Sequence, residues 1–290
     1  MLTPAIREAL RLEAKLDESF GAVPIGGSAG KTLLRVTNGA RSLFVKVLPA
    51  ARSDELAGEA DGLEALRRAA AIAVPAVHAC GVAEDGAFLA LEWLDLRART
   101  ARAERRLGAA LAAQHRCTQE LYGYSRDNAL GPTPQINTAR PDWLVFWRRE
   151  RLGAQLERAT GNGLPRECAV LVHRVLERVD ALFDAYRPQP ALLHGDLWGG
   201  NWGVGPDETP YVFDPAVYFG DREADLAMTR LFGGFGPAFY RAYREAWPLD
   251  AGAERRVDLY NAYHLLNHFN IFGAAYVPPL VAALERALRA

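Results

Sequence analysis

The chain predicts an α+β fold of two lobes, a small β-rich one over residues 1–94 and a larger helical one over 95–290. Two features of the sequence lead to this. Before residue 95, short β-rich apolar runs are broken by Gly-containing turns, whereas after Leu96 apolar residues recur at helical spacing over long stretches. A third is length: 290 residues suffice for a large core, as one big domain or two lobes.

Each element has its own signal. Leu2 to Asp17 carries Ile6, Leu10, Leu12 and Leu16 at helical spacing and stops before Gly21 and Pro24. From Val23 to Val47 the pattern changes to strands. Leu33, Leu34 and Val36 precede Asn38-Gly39, and Leu43, Phe44, Val45 and Val47 follow it, a hairpin signal. Ser53-Asp54-Glu55 opens a helix to about Ala70 with Leu56, Leu63 and Leu66 on one face. Val77–Val82 and Phe88–Glu92 read as strands around Glu84-Asp85-Gly86, and residues 93–96 link the lobes. Helical patterns then cover 99–121, 143–159, 166–187, 223–231, 237–247, 253–272 and 278–289. A Gly/Pro/Asn-rich connection from Tyr122 to Pro141 packs aromatic residues, and Trp143 and Trp147 read as helix packing. There is no internal repeat.

Composition narrows the function classes. At 50% hydrophobic and 24% charged, the chain has the balance of an ordinary soluble globular protein. A formal charge of −1 gives no electrostatic case for nucleic acid or an anionic membrane as partner. Cys80, Cys117 and Cys168 are far apart and form no CxxC, which fits a reducing compartment; Cys80 and Cys117 read as core residues. The first twenty residues mix acids and bases among leucines, unlike a signal peptide, and no apolar run is long enough to span a bilayer. The expectation is a soluble, cytoplasmic protein.

The chemistry concentrates in His194-Gly195-Asp196-Leu197-Trp198-Gly199-Gly200-Asn201, which follows the apolar run Ala191-Leu192-Leu193, and in Asp214, which ends the run Tyr211-Val212-Phe213. Two short strands would bring Asp196, Asn201 and Asp214 to one edge. An acid five residues before an amide, then a second acid after a strand, is how kinases assemble a base and two magnesium ligands. The competing reading is a Gly-rich turn whose Asp and Asn bond only their own backbone.

Nucleotide-side residues follow. Gly26-Gly27-Ser28-Ala29-Gly30-Lys31-Thr32 has one residue too few between its glycines for a Walker A motif, and a strand rather than a helix follows the lysine. Gly26, Gly27 and Ser28 instead suit a loop between antiparallel strands that approaches phosphates, although a plain hairpin turn accounts for them equally well. Lys46, within a strand, is followed thirteen residues later by Glu59 on a helix, the arrangement in which lysine pairs with glutamate and touches phosphates. Glu92, Trp93 and Leu94 offer backbone groups to an adenine edge.

On the acceptor side, Trp198 stands among glycines with little local core to join, and its indole suits stacking on a sugar or attracting an ammonium. Asp225 is expected to bond the backbone of the His194 loop, with His194 structural. His264 and His268 are at i, i+4, but Leu265 stands where a metalloprotease has Glu; packing beside the site, with His268 or Asn270 touching substrate, fits better than zinc.

These motifs, with Phe213 to Met228 and Tyr263 to His268, resemble the fructosamine/ketosamine-3-kinase family, relatives of aminoglycoside and choline kinases. The resemblance runs through nearly the whole chain and is strongest over 192–230. It implies a bilobal protein-kinase-like fold and ATP-dependent phosphorylation of the sugar 3-hydroxyl of ketosamines. These substrates are free adducts or glycated protein lysines, and phosphorylation leads to deglycation. Another small-molecule kinase of the aminoglycoside or choline type is the alternative. Carried over by position, Asp196 is the base, Asn201 and Asp214 bind Mg2+, Lys46 holds the phosphates of ATP and Glu59 orients Lys46. Asp214 is followed by Pro215-Ala216 where protein kinases have Phe-Gly, which speaks against a protein-hydroxyl acceptor.

Overall fold

The computed structural model describes residues 2–28, 30–184 and 186–290. Met1, Ala29 of the Gly-rich stretch and Ala185 of the predicted 166–187 helix lie outside the described residues. Helix α1 (Pro4–Glu13) begins at Thr3, whose hydroxyl accepts from the Ile6 amide at 3.2 Å. Strands β1 (Gly21–Ser28), β2 (Lys31–Asn38), β3 (Arg41–Leu48), β4 (Val77–Ala83) and β5 (Gly86–Glu92) form one sheet, ordered β1-β2-β3-β5-β4. Every neighbour in it is antiparallel. Lys31 starts a strand, so the Gly-rich stretch is a hairpin and not the strand-to-helix turn of a P-loop. Asn38 pairs with Arg41, which makes Gly39-Ala40 the turn, one residue later than the Asn-Gly signal suggests.

Alternation sorts the sheet's side chains between two cores. Leu43 and Val45 of β3, with Phe88 and Ala90 of β5, pack with Ile6 and Leu10 of α1. On the other face Leu48, Leu89 and Leu91 meet Leu56, Leu63 and Leu66 of helix α2 (Ser53–Ala69). Lys46, two residues from Leu48, belongs to this second face. The same alternation corrects one expectation: Ala79 of β4 is buried, so Cys80 is exposed rather than in the core. Cys117 is half-buried and Cys168 buried, and all three are free.

After Glu92 the helices take over. Helix α3 (Ala101–His115) is followed by a small hairpin of β6 (Asn128–Leu130) and β7 (Thr133–Gln135). Helix α4 (Trp143–Phe146) passes through a π-helical stretch, Trp147–Gly153, into α5 (Ala154–Gly161), and α6 is Arg166–Arg178. Next come β8 (Ala191–Leu193), β9 (Trp202–Val204), β10 (Pro210–Val212) and β11 (Tyr218–Gly220). Helices α7 (Arg222–Leu231), α8 (Pro237–Ala246), α9 (Ala253–Phe272) and α10 (Val277–Arg289) complete the chain. The predicted 99–121 helix stops early because the chain leaves it to run beside β8, where Leu192 donates to the Cys117 carbonyl at 2.9 Å. Likewise 166–187 ends in a single 3-10 turn, Val179–Leu182.

One core belongs to the helical lobe, with Trp143, Phe146 and Trp147 packed against Tyr260 and Leu266 of α9. The core beneath α2 also contains Leu107 of α3, Leu192 of β8, Trp202 of β9 and Phe239 of α8, so apolar packing runs unbroken across the two lobes. Among the described residues no helix is long and apolar enough to cross a membrane.

Helix α9 buries His264, and burial, helped by His268, drives its imidazole down to about 3. The unfolded chain therefore binds a proton that the folded chain refuses between roughly pH 6.5 and 3, and stability falls as pH drops through that window. At pH 5 the loss attributable to this ring is about 2 kcal/mol. Urea unfolding at pH 7 and pH 5 is expected to show a drop smaller by that amount in His264→Gln than in the wild type. An equal drop in both would mean the ring is not held neutral.

Candidate active site

The candidate constellation is assembled by strand register. Strand β8 leads into residues 194–201, and Asn201 directly precedes β9. Because Val212 of β10 pairs with Trp202 of β9, Phe213 lies beside Asn201, and the Phe213 amide donates to the Asn201 carbonyl at 3.1 Å. The next residue, Asp214, adopts a left-handed backbone with φ 57°, which Asp tolerates better than most residues. There its carboxylate accepts a hydrogen bond from Lys46, which also donates to Glu59 Oε1 of α2 at 2.7 Å. The Asn201 amide donates through Nδ2 to the Asp196 carbonyl at 2.9 Å and to Asp196 Oδ2 at 3.2 Å. Asp196, Asn201 and Asp214 thus meet in one place.

A second carboxylate bracket fixes the loop's entry. Asp225, buried one turn into α7, accepts from the amides of His194 at 2.7 Å and Gly195 at 2.9 Å. It also bonds His115 Nε2 of α3 at 3.1 Å, whose Nδ1 reaches the Tyr243 hydroxyl at 2.8 Å. Burial pushes the Asp225 carboxyl up, but these partners outweigh it and hold it below the ordinary carboxylate range. The His194 ring is buried, and burial lowers its pKa, so it is neutral. Its Nδ1 accepts from the Asp196 amide at 3.3 Å, so Nε2 carries the proton toward the Phe213 carbonyl at 3.1 Å. One imidazole therefore ties the turn bearing Asp196 to the strand end bearing Asp214.

Electrostatics distinguish the two acids. Burial, then the charge of Asp214, pushes Asp196 up to about 7, against the Asn201 hydrogen bond and the Lys31 charge. Burial acts on Asp214 in the same direction, but Lys46, Lys31 and His194 hold it below its ordinary value. For Lys46, burial disfavours the ammonium, and the charges and hydrogen bonds of Glu59 and Asp214 reverse that and raise its pKa. Lys46 is an ammonium.

Two cavities share Asn201 and Asp214 as common wall. The larger, about 360 Å³, is mostly apolar, with Ile25, Phe44, Leu96 and Phe213 around the 92–94 link. The smaller, about 220 Å³, is lined by Lys31, Glu55, Glu59, Asp196 and Trp198 among others.

The remaining predicted residues distribute as follows. Glu92, Trp93 and Leu94 line the larger cavity. The Glu92 carboxylate bonds the Ala76 amide at 3.1 Å, and the Trp93 indole donates to Asp95 at 3.0 Å, so the cavity meets backbone and apolar surface there. Gly26, Gly27 and Ser28 are exposed at the hairpin end, while Ile25 and Lys31 on either side of them reach the cavities. His268 lies near Trp198 through Phe232, at 4.8 Å from the Phe232 ring, and its Nδ1 bonds the His264 carbonyl at 2.8 Å. Asn270 is used for packing and donates to Gln155 Oε1 at 2.7 Å. Lys31, Phe44 and Phe213 were not singled out from sequence as site residues. A cation within a Gly-rich hairpin was the available signal for Lys31.

Gly195 makes the loop's close turn possible. Its φ is 83°, and a Cβ there would sit 2.0 Å from the Ala216 carbonyl oxygen. Gly195→Ala is expected to cost about 2–4 kcal/mol of stability and most of the turnover. Thermal unfolding alongside a turnover assay checks this, and wild-type values in both would show that the turn tolerates a side chain.

Residues 10–290 match the model of the fructosamine kinase family. A Synechocystis protein named as a probable ketoamine kinase is 40% identical over 258 residues, covering 88% of this chain and 85% of its own. The chloroplastic protein-ribulosamine 3-kinase of Arabidopsis thaliana is 36% identical over 288 residues, covering 98% and 87%. A crystal structure assigned as a fructosamine-3-kinase from Thermobifida fusca YX-ER1 superposes with TM-score 0.89 at 35% identity, with 100% of both chains covered. At 13% identity, an aminoglycoside phosphotransferase mutant still superposes with TM-score 0.68 over 98% of both chains, which shows the shared protein-kinase-like bilobal fold. This chain belongs to the fructosamine kinase family.

Proposed function

We propose that this chain is an ATP-dependent kinase that phosphorylates the sugar 3-hydroxyl of ketosamines, on small amines or protein lysines, and so acts in deglycation. The observation that carries this reading is the meeting of Asp196, Asn201, Asp214 and the Lys46–Glu59 pair at the wall common to two cavities.

In this reading the adenine occupies the larger cavity between Ile25 and Phe44 on one side and Leu96 and Phe213 on the other, its edge against the backbone of residues 92–94. Lys46, held charged by Glu59 and Asp214, binds phosphate oxygens, and the Gly26–Ser28 hairpin closes over them. Lys31 adds a second positive charge. The division of labour follows lobes of 1–94 and 95–290.

The donors suit magnesium. Asn201 spends Nδ2 on Asp196 and the Asp214 carbonyl, and no protein donor among the described residues engages its oxygen. Asp214 adds a carboxylate, and no group of three or more His, Cys, Asp or Glu suited to a metal occurs among the described residues. Two hard oxygen ligands completed by phosphates and water is how magnesium binds at phosphoryl-transfer sites. When bound, the ion offsets phosphate charge as it is redistributed in the transfer.

Asp196 accepts the proton of the sugar hydroxyl as that oxygen attacks the γ-phosphate, and Asn201 holds the carboxylate's orientation. Trp198 supplies an aromatic face to the sugar and its ammonium, with His268 farther along the same side. The three free cysteines are consistent with a reducing, cytoplasmic setting.

Asp196→Asn is expected to lower kcat by about 10²–10⁴-fold while nucleotide affinity changes little. ADP release with ribulosamine and fructosamine adducts, beside nucleotide titration, tests it; undiminished turnover rejects Asp196 as the base. Aminoglycosides and choline serve as rival acceptors, and preference for either over ketosamines overturns the substrate assignment. Trp198→Ala is expected to raise the ketosamine KM about tenfold with the ATP KM unmoved, and an equal rise in both argues against sugar stacking.

A further inference from the structure

A row of aromatic rings leaves the acceptor cavity and runs over the surface of the helical lobe. It begins at Trp198, which lines the cavity with Asp196. Phe232, at the end of α7, meets Trp198 edge-on with centroids 6.4 Å apart. His268 follows at 4.8 Å, then Phe272 at 5.6 Å and Tyr276 at 4.9 Å from His268. Among the described residues, the exposed Phe, Trp and Tyr side chains are Trp198 at 39%, Phe232 at 41% and Phe272 at 62%, and all three belong to this row. Aromatic rings are costly to leave in water, and here they are gathered on one path rather than scattered.

The row starts where the acceptor's reacting end must lie. At about 220 Å³ the cavity is smaller than the roughly 300–1,000 Å³ of pockets that enclose a drug-sized ligand, and Lys31, Asn201 and Asp214 give part of its wall to phosphate and its ion. Beside Asp196 and Trp198 there is therefore room for the sugar end of the acceptor but not for the amine carrier as well. The carrier has to leave past Trp198. A ketosamine nitrogen is a secondary ammonium, which favours the faces of aromatic rings. Beyond it, the rings offer apolar surface. His268 bonds the His264 carbonyl at 2.8 Å through Nδ1, and burial lowers its pKa, so the path carries no cation there to repel the ammonium. The row ends at Phe272, the most exposed of the three, so nothing closes the far end and a long carrier runs on past it.

We propose that Phe232, Phe272 and Tyr276 form a carrier track that selects ketosamines whose amine bears a long aliphatic chain, such as the methylene stem of a glycated lysine within a polypeptide. This rests on the ketosamine reading of the site and adds the class of amine that it prefers. Covering a few methylenes on an open apolar surface favours the long carrier by about tenfold, or about 1.4 kcal/mol.

Three adducts of one sugar, on methylamine, hexylamine and the lysine of a short peptide, separate the possibilities. Wild-type kcat/KM is expected to be about tenfold higher for the hexylamine and peptide adducts than for the methylamine adduct. Phe272→Ala is expected to raise KM for the two long adducts with kcat unchanged, leaving the KM of the methylamine adduct and of ATP as they were, and Phe272→Leu to restore most of the difference. No wild-type preference for long carriers, or an equal effect of Phe272→Ala on all three adducts, overturns the track while the ketosamine reading stands. Turnover of none of the three by the wild type overturns that reading, and the track with it.

Discussion

The buried ammonium of Lys46 is the point on which the site's geometry depends. It comes from β3 of the sheet, Glu59 from α2 and Asp214 from the strand end after β10, so one charge fastens three elements and both lobes. An isolated lysine buried on that sheet face would lose its proton or distort the fold. Two carboxylates keep it charged, and in return their positions are set to within a hydrogen-bond length. Removing Lys46 would leave two carboxylates facing each other uncompensated, and removing either carboxylate would release the lysine from one of the elements it fastens, which is why the trio acts as a unit.

Asp225 performs the corresponding task behind the turn that bears Asp196. It engages two consecutive backbone amides and a buried histidine, which places Asp196 without using any atom of Asp196 itself. The His194 ring, neutral and with its tautomer set by its two partners, then spans from that turn to Phe213. Asp196 is left with fewer compensating partners than Asp214, and the two carboxyls diverge accordingly, one raised and one lowered. Environments that drive paired acids apart in this way suit the roles proposed for them, Asp196 as proton acceptor and Asp214 as cation ligand.

Much of the site could be read in one dimension. Asp196 and Asn201 are five residues apart in a Gly-rich turn, and Asp214 follows a β-rich run, so local chain geometry limits where they can go. The Lys46–Glu59 pair was accessible for the same reason, being a strand residue followed by a helix residue in the same lobe. Harder to read were Lys31, Phe44 and Phe213, whose membership in the cavities depends on which face of a strand or turn looks into the cleft. Cys80 was misplaced for want of the same information, because one residue's slip along β4 exchanges core and surface.

The amino-acid sequence by itself determined the order of elements, the two-lobed division of strand and helix patterns, and the residue types able to transfer a phosphoryl group, all properties of short-range spacing. Only the tertiary structure decided the pairing of β8 with β11, the early end of α3 and the joining of the two cavities at Asn201 and Asp214. It also aligned Trp198, Phe232 and Phe272, which come from a loop and the ends of two helices. The physical reason is that hydrophobic burial is non-directional. Periodicity says that a face will be covered, but close packing across the whole chain chooses the partner that covers it.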